Sequence, residues 1–392
     1  MRVLYHHRTR ADDAQGIHIA ALCDALRELG HQVELVALVR QSKPRQAKPG
    51  REGASLFGLP VPAWFYELLA LAYNIPGFFM LAVAVLRRRP DVLYERYALY
   101  TVCGRWVARL FGLPFILEVN APLSAELSRH GGLAFQSLAR WVETRLLSRA
   151  TRTVVVSQAM ADLFVRQGVP RGKLVVMPNG VDATRFNPAI DGRALRRKLG
   201  LDGACVVGFV GWIRPWHGVE QLIDAVAELL PRCPALRLLL VGGGPALPGL
   251  EAQVQRLGLV GKVLFTGPLP ATEVPAYIAA TDVVVQPDVT DYASPIKLFE
   301  YLAVGRAVLA PAKPNILEIV TDGVTALTFA PGDRAAMTAA LLLLHDDPAL
   351  RARLGAAGAA LIDQRGYRWR CNAQRVIDLV DTSRGSALAQ QP

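Results

Sequence analysis

Lys297 and Glu300 lie three residues apart in the stretch Asp291–Ala310, DYASPIKLFEYLAVGRAVLA. Their side chains can do complementary work on one ligand. Pro295 suits the first turn of a helix, where its missing N–H would be unbonded anyway. The free N–H groups of that turn, the positive end of the helix dipole and the Lys297 ammonium describe an anion site. One turn further in, Glu300 is the lone acid of an otherwise apolar helix. A carboxylate there accepts two hydroxyl hydrogen bonds, as from a ribose. Phosphate at the helix start and a diol near its second turn make a nucleoside-diphosphate pattern. A solvated surface helix has the same spacing, so the surroundings must decide.

The helix must be held by strands, and the hydrophobic rhythm supplies them. The turn Tyr292–Pro295 opens the helix, Gly305 closes it, and Ala307–Leu309 reads as a strand. Upstream lie the strand CVVGFVG and the loop WIRPWHG, with Arg214 and His217. LRLLLVGGGP follows, with Gly243, then KVLFTGPLP, with Phe265, and DVVVQP. The first half has the same alternation. VLY leads into the polar loop HHRTRADDAQGIH, in which Gly16 permits close backbone approach. A helix IAALCDALREL then closes at Gly30, and VELVALV, residues 91–95 (DVLYE), 115–119 (FILEV), RTVVVS and KLVVMP read as strands. Alternating strands and helices in both halves imply an α/β fold with parallel sheets. In such sheets ligands sit outside the carboxyl ends of the strands. Glu118 and Asn120 stand at such an end, with Glu126, Arg129 and His130 just beyond.

At 392 residues the chain should form two domains. The joint is expected at 177/178, with residues 367–383 returning to the first domain as a helix and 384–392 a disordered tail. Five scattered cysteines without a CxxC or Cys/His cluster argue against a disulfide framework or zinc site and fit a reducing cytoplasm. No secretory signal is visible at the N-terminus. No Asp-x-Asp motif appears, and neither a metal nor another cofactor is expected. The formal charge of +11 is uneven: residues 1–173 carry 23 Lys/Arg against 13 Asp/Glu, the rest 21 against 20. A basic first half fits an anionic partner. No nucleic-acid-binding module pattern occurs, so an acidic membrane face or a phosphorylated acceptor is the expected partner rather than nucleic acid.

Residues 64–86, WFYELLALAYNIPGFFMLAVAVL, are long enough to span a bilayer and precede three arginines, Arg87–Arg89. Glu67, Asn74 and Pro76-Gly77 argue for two short helices broken at Pro76. Such helices serve either as core or as an interfacial surface, peripheral on the inner face of a plasma membrane.

Three strings, PNGVD (178–182), RPWHG (214–218) and SPIKLFEY (294–301), carry a resemblance to family 4 retaining glycosyltransferases. It extends over nearly the whole chain. In that family two glutamates flank seven residues. Glu300 matches the second, the ribose ligand, and Tyr292 falls at the first, with Asp291 adjacent as a stand-in. SPIKLFEY matches a variant without the first glutamate. The resemblance implies the GT-B fold, two doubly wound Rossmann-like domains facing across a cleft. It also implies transfer of a sugar from a nucleotide-sugar donor to a glycan or lipid-linked acceptor, in cell-surface polysaccharide or glycolipid synthesis. The donor side would use Asp291, Tyr292, Ser294, Pro295, Ile296, Lys297 and Glu300, together with Gly16, Arg214, His217, Gly243 and Phe265. Arg214 and His217 would replace the family's Arg and Lys phosphate clamp. Asn120, where the family often has His, and Glu118 are the candidates nearest the chemistry, and Glu126, Arg129 and His130 would face the acceptor. No residue stands out as a nucleophile. A nucleotide-sugar 2-epimerase on the same fold, or a non-catalytic nucleotide-sugar binder, are the alternatives.

Overall fold

The computed structural model describes residues 1–9, 14–37, 55–56, 59–60, 62–129 and 131–388. The chain divides into two compact units, Met1–Pro178 with Trp369–Pro392, and Asn179–Arg368.

The first unit is built on a six-stranded parallel sheet. Its strands are β1 (Arg2–His6), β2 (Gln32–Val36), β5 (Val92–Arg96), β6 (Phe115–Val119), β7 (Arg152–Val155) and β8 (Leu174–Val176), in the order β2-β1-β5-β6-β7-β8. A separate two-residue hairpin pairs β3 (Ser55–Leu56) with β4 (Leu59–Pro60). β1, β5 and β6 are buried almost throughout because helices cover both faces of a parallel sheet. The helix Trp369–Leu388 packs against the helix Ala14–Glu28, with the His18 and Trp369 rings 4.8 Å apart. That last helix runs to Leu388, so 384–388 are helical rather than disordered, and 389–392 lie outside the described residues.

Two further expectations do not hold in the structure. Gly16 sits in the first turn of the helix Ala14–Glu28, not in a loop. The apolar stretch breaks at Tyr73, between helices Ala63–Ala72 and Asn74–Arg88, not at Pro76. Pro76 lies in the first turn of the second helix, where it displaces no helical hydrogen bond.

The second unit is another parallel six-stranded sheet. Its strands are β9 (Cys205–Val210), β10 (Leu236–Val241), β11 (Val263–Phe265), β12 (Val283–Val285), β13 (Ala307–Pro311) and β14 (Leu327–Phe329), in the order β11-β10-β9-β12-β13-β14. The order reverses between β9 and β12, which makes their carboxyl ends the ligand-binding switch point of a doubly wound sheet. The chain enters and leaves this unit side by side: Val181 bridges to Arg368 and its N–H bonds to the Tyr367 carbonyl at 3.0 Å.

Candidate active site

The helix Ile296–Ala303 is the next element after β12, across the loop 286–295, with Pro295 as its N-cap and Gly305 past its end at φ 73°. Its placement depends on how β9 and β12 part. They pair only at Val207–Val283 and Gly208–Val284. Beyond Gly208 the β12 side of β9 has no strand partner. The Tyr301 hydroxyl takes that place, accepting from the Val210 N–H at 2.8 Å and donating to the Val210 carbonyl at 2.9 Å. Tyr301 is fully buried, so this double bond fixes the helix against the end of the strand.

That anchoring places Lys297 one turn earlier, at the same strand end. Its Nζ is buried, lies 4.3 Å from the Phe209 ring centroid and has no hydrogen-bond partner among the described residues. A Cβ on Gly211 would meet that Nζ at 3.3 Å. Burial pushes the Lys297 ammonium down to about 7, against the opposing pull of Glu300. Burial likewise pushes the Glu300 carboxyl up to about 7, against Arg185 and Lys297. A bound anion would supply the missing partner and restore the charge on Lys297. Gln286, just past the end of β12, is buried, and its Oε1 has no hydrogen-bond partner among the described residues.

The loops around this point are braced through their backbones. Asn179, in the PNGVD string, donates its N–H to Ser294 Oγ at 2.9 Å and its side-chain amide to the Ser294 carbonyl at 2.6 Å. Asn315 donates to the Thr290 and Ala293 carbonyls. Lys313 pairs with Asp288 at 2.7 Å and with Asp291 at 3.1 Å. Asp291 is therefore paired with a loop cation while its carboxylate stays largely exposed. Tyr292 is buried, and Ser294 serves as the anchor of the loop.

The Arg214 guanidinium lies 5.1 Å from the Trp216 ring centroid. The backbone N–H of Arg214 donates to His217 Nδ1 at 3.3 Å, which leaves the ring proton of His217 on Nε2. Burial, then Lys297 and Arg214, hold the His217 imidazole down at about 3. His217 is thus a neutral donor at neutral pH. Gly243 is tied into structure: its carbonyl accepts the Ile213 N–H at 2.7 Å, and a Cβ would meet Pro268 at 2.8 Å. Neighbouring Gly242, at φ 121°, allows β10 to approach β9, because a Cβ there would lie 2.2 Å from the Gly211 oxygen. Phe265 ends β11, two strands from the switch point, and the next N–H, of Thr266, is used by the Leu240 carbonyl.

In the first unit Glu118 is the centre of a buried network. Its carboxylate accepts from Arg96 at 2.6 Å, Tyr94 at 2.8 Å, Tyr5 at 3.3 Å and the Asn120 amide, and His18 Nε2 lies 3.2 Å away. Burial opposes its charge, but His18 and Arg96 hold the carboxyl far below the usual range. Such a saturated carboxylate positions others and has no lone pair left for proton transfer, which corrects its place as a catalytic candidate. Asn120 is half-buried, with its nitrogen committed to Glu118. Glu126 and Arg129 lie on the helix Leu123–Arg129, and His130 falls outside the described residues.

Residues absent from the sequence reading are Tyr301, Asn179 in its bracing role, Asn315, Gln286 and Arg185. Arg185 alone had a visible signal, a lone cation after the PNGVD turn.

The first unit matches the family described as "Glycosyl transferase 4-like domain" over residues 14–180, and the second "Glycosyl transferases group 1" over 204–347. The chain is 33% identical over 268 residues to a GDP-mannose-dependent alpha-(1-6)-phosphatidylinositol monomannoside mannosyltransferase of Mycolicibacterium smegmatis, covering 66% of this chain and 70% of that one. It is 32% identical over 399 residues to a D-inositol 3-phosphate glycosyltransferase of Nocardia farcinica, covering 93% and 84%. Among solved structures, Anabaena HepE in complex with UDP superposes with a TM-score of 0.73 at 21% identity, covering 97% and 100%. A Thermosynechococcus elongatus sucrose-phosphate synthase superposes at 0.77 and 20% identity, covering 98% and 100%. These two share the GT-B fold with this chain.

Proposed function

The chain belongs to the glycosyltransferase family 4-like and group 1 enzymes, and from that premise we propose that it is a retaining transferase. It moves a sugar from a nucleoside-diphosphate sugar to a glycan or lipid-linked acceptor, in the synthesis of a cell-surface polysaccharide or glycolipid. The single observation behind this reading is the buried, unpartnered Lys297 ammonium with Glu300 one turn on, at the switch point of the second unit.

Charge develops on the leaving diphosphate as the anomeric C–O bond breaks. Lys297, the first-turn N–H groups and the His217 Nε2–H are donors for that charge. Glu300 would hold the ribose hydroxyls. The acceptor hydroxyl attacks from the face the diphosphate leaves. Its oxygen forms the new C–O bond, and its proton passes to the departing phosphate oxygen, which needs no protein nucleophile. The chain's own cations neutralise the leaving group in this scheme, so no metal is invoked.

Thermal stabilisation by GDP, UDP, ADP and TDP tests the donor site, GDP first because the mycobacterial relative is GDP-mannose-dependent. Stabilisation by one of them fixes the base. No stabilisation by any would overturn the donor assignment. Acceptor-dependent release of the nucleotide then separates transfer from 2-epimerisation, which needs no acceptor, and from binding alone.

A further inference from the structure

The apolar stretch before Arg87 has two faces. On the helix Asn74–Arg88, Gly77, Leu81 and Val85 are buried against the first unit. Ile75, Phe79 and Leu86 point the other way, 66%, 64% and 64% exposed, with Val83 between them at 44%. Spacings of three and four put those residues on one stripe. A surface helix normally turns a polar stripe to water. The preceding helix extends the patch through Trp64 and Leu68. A contiguous exposed apolar surface of this kind marks a contact with something else.

The stretch Ala63–Arg88 is long and apolar enough to cross a bilayer, with a mean hydropathy of 2.0 over an 18-residue window within it. Two buried polar residues prevent that by tying both helices into the first unit. Glu67 accepts the Ala134 N–H at 2.6 Å and the Tyr100 hydroxyl. Asn74 accepts the Val102 and Cys103 N–H groups at 2.7 and 2.9 Å and donates to the Tyr100 carbonyl. A helix held by one face and apolar on the other lies on an interface rather than through it.

The helix Cys103–Leu110 packs beside Asn74–Arg88 and exposes Trp106 and Leu110. Next to them Arg105, Trp106, Arg109 and Arg149 line a pocket of about 470 Å³ with no acid in its wall. Arg87 and Arg89 are exposed at the end of the apolar helix. We propose that this face of the first unit docks on an anionic phospholipid bilayer, with the apolar stripe in the interface and the Arg105–Arg109–Arg149 pocket on a lipid phosphate. Charge complementarity selects this occupant. A second copy of the chain would bring arginine against arginine around the same patch, whereas lipid phosphates neutralise it. The docking stands independently of the transferase reading.

The test is flotation of the full chain with vesicles of phosphatidylcholine alone and of equimolar phosphatidylcholine and phosphatidylglycerol. Binding is expected to the mixed vesicles only, weakening as salt rises. Phe79→Glu, at an exposed position, should weaken it on the order of tenfold or more. Arg109→Gln and Arg149→Gln should each weaken it roughly fivefold. Quenching of tryptophan fluorescence by brominated lipid, reduced in Trp64→Phe and again in Trp106→Phe, reads the wild-type chain without a destabilising change. Equal binding to both vesicles, no binding to either, or a dimer in light scattering that Phe79→Glu disperses would each overturn the proposal.

Discussion

The Tyr301 hydroxyl closes a pair of hydrogen bonds on a single residue, taking the Val210 N–H at 2.8 Å and giving its own proton to the Val210 carbonyl at 2.9 Å. One side chain thus substitutes for the strand that β9 lacks where the sheet divides. Tyr301→Phe keeps the ring but leaves two buried backbone groups unpaired. It is expected to destabilise the protein by about 1–3 kcal/mol. It should also weaken nucleotide binding, since Lys297 and Glu300 ride on the same helix. Urea unfolding and a nucleotide titration check both effects. An unchanged midpoint with normal binding would refute the anchoring role.

Lys297→Met should raise the stability of the ligand-free protein while removing nucleoside-diphosphate binding. The folded state holds this ammonium down at about 7, so the unfolded chain binds the extra proton between there and its ordinary value. The stability contributed by Lys297 therefore rises as pH rises through that window. The advantage of Lys297→Met is largest below neutral pH and shrinks toward alkaline pH. Melting curves of both proteins across that range show it. Binding of diphosphate above neutral pH should take up a proton in the wild type and not in Lys297→Met, as read by calorimetry in two buffers.

Glu300→Ala is expected to weaken nucleoside-diphosphate binding by roughly 1.5–3 kcal/mol, the value of hydrogen bonds to a charged partner. The folded carboxyl is pushed up to about 7, so the stability it contributes is lost as pH rises from the ordinary carboxylate range to that value. The ligand-free variant should accordingly gain on the wild type at and above neutral pH. Unchanged affinity with intact folding would remove the ribose role.

Glu118→Gln breaks a buried charged network rather than a catalytic group. Removing one partner of such a pair costs about 3–5 kcal/mol. The folded carboxyl is held far below its unfolded range, so its contribution is present above that range and is lost only as pH falls through the folded value. Chemical unfolding at neutral and acidic pH checks the size and the sign. A stable Glu118→Gln with reduced turnover would return Glu118 to the chemistry.

Both sheets were legible in the sequence because parallel strands buried on two faces leave unbroken apolar runs, as in CVVGFVG and FILEV. Lys297 and Glu300 stood out because charge is unusual in such a helix. Tyr301, one residue on, read only as an aromatic of the core, since its partner Val210 lies far away in sequence. Glu118 read as a reactive group for the same reason: its donors come from β1, β5 and the helix Ala14–Glu28, and their convergence is a property of the fold. The start of that helix was missed because HHRTRADDAQGIH is polar throughout, and polarity alone does not separate a loop from an exposed first turn. In Trp64–Leu86 the two faces are both apolar, so periodicity gave no orientation.

The bridge between Val181 and Arg368 has a consequence for dissecting the molecule. Asn179–Arg368 begins and ends at neighbouring points, so it has the connectivity of an inserted domain. Excised between Pro178 and Asn179 and between Arg368 and Trp369, it keeps the bridge, the Asn179–Ser294 clasp and the whole parallel sheet. A fragment starting only a few residues later would lose the clasp that shapes the nucleotide loop. The same adjacency makes this segment a candidate for circular permutation, with a short linker joining its old ends.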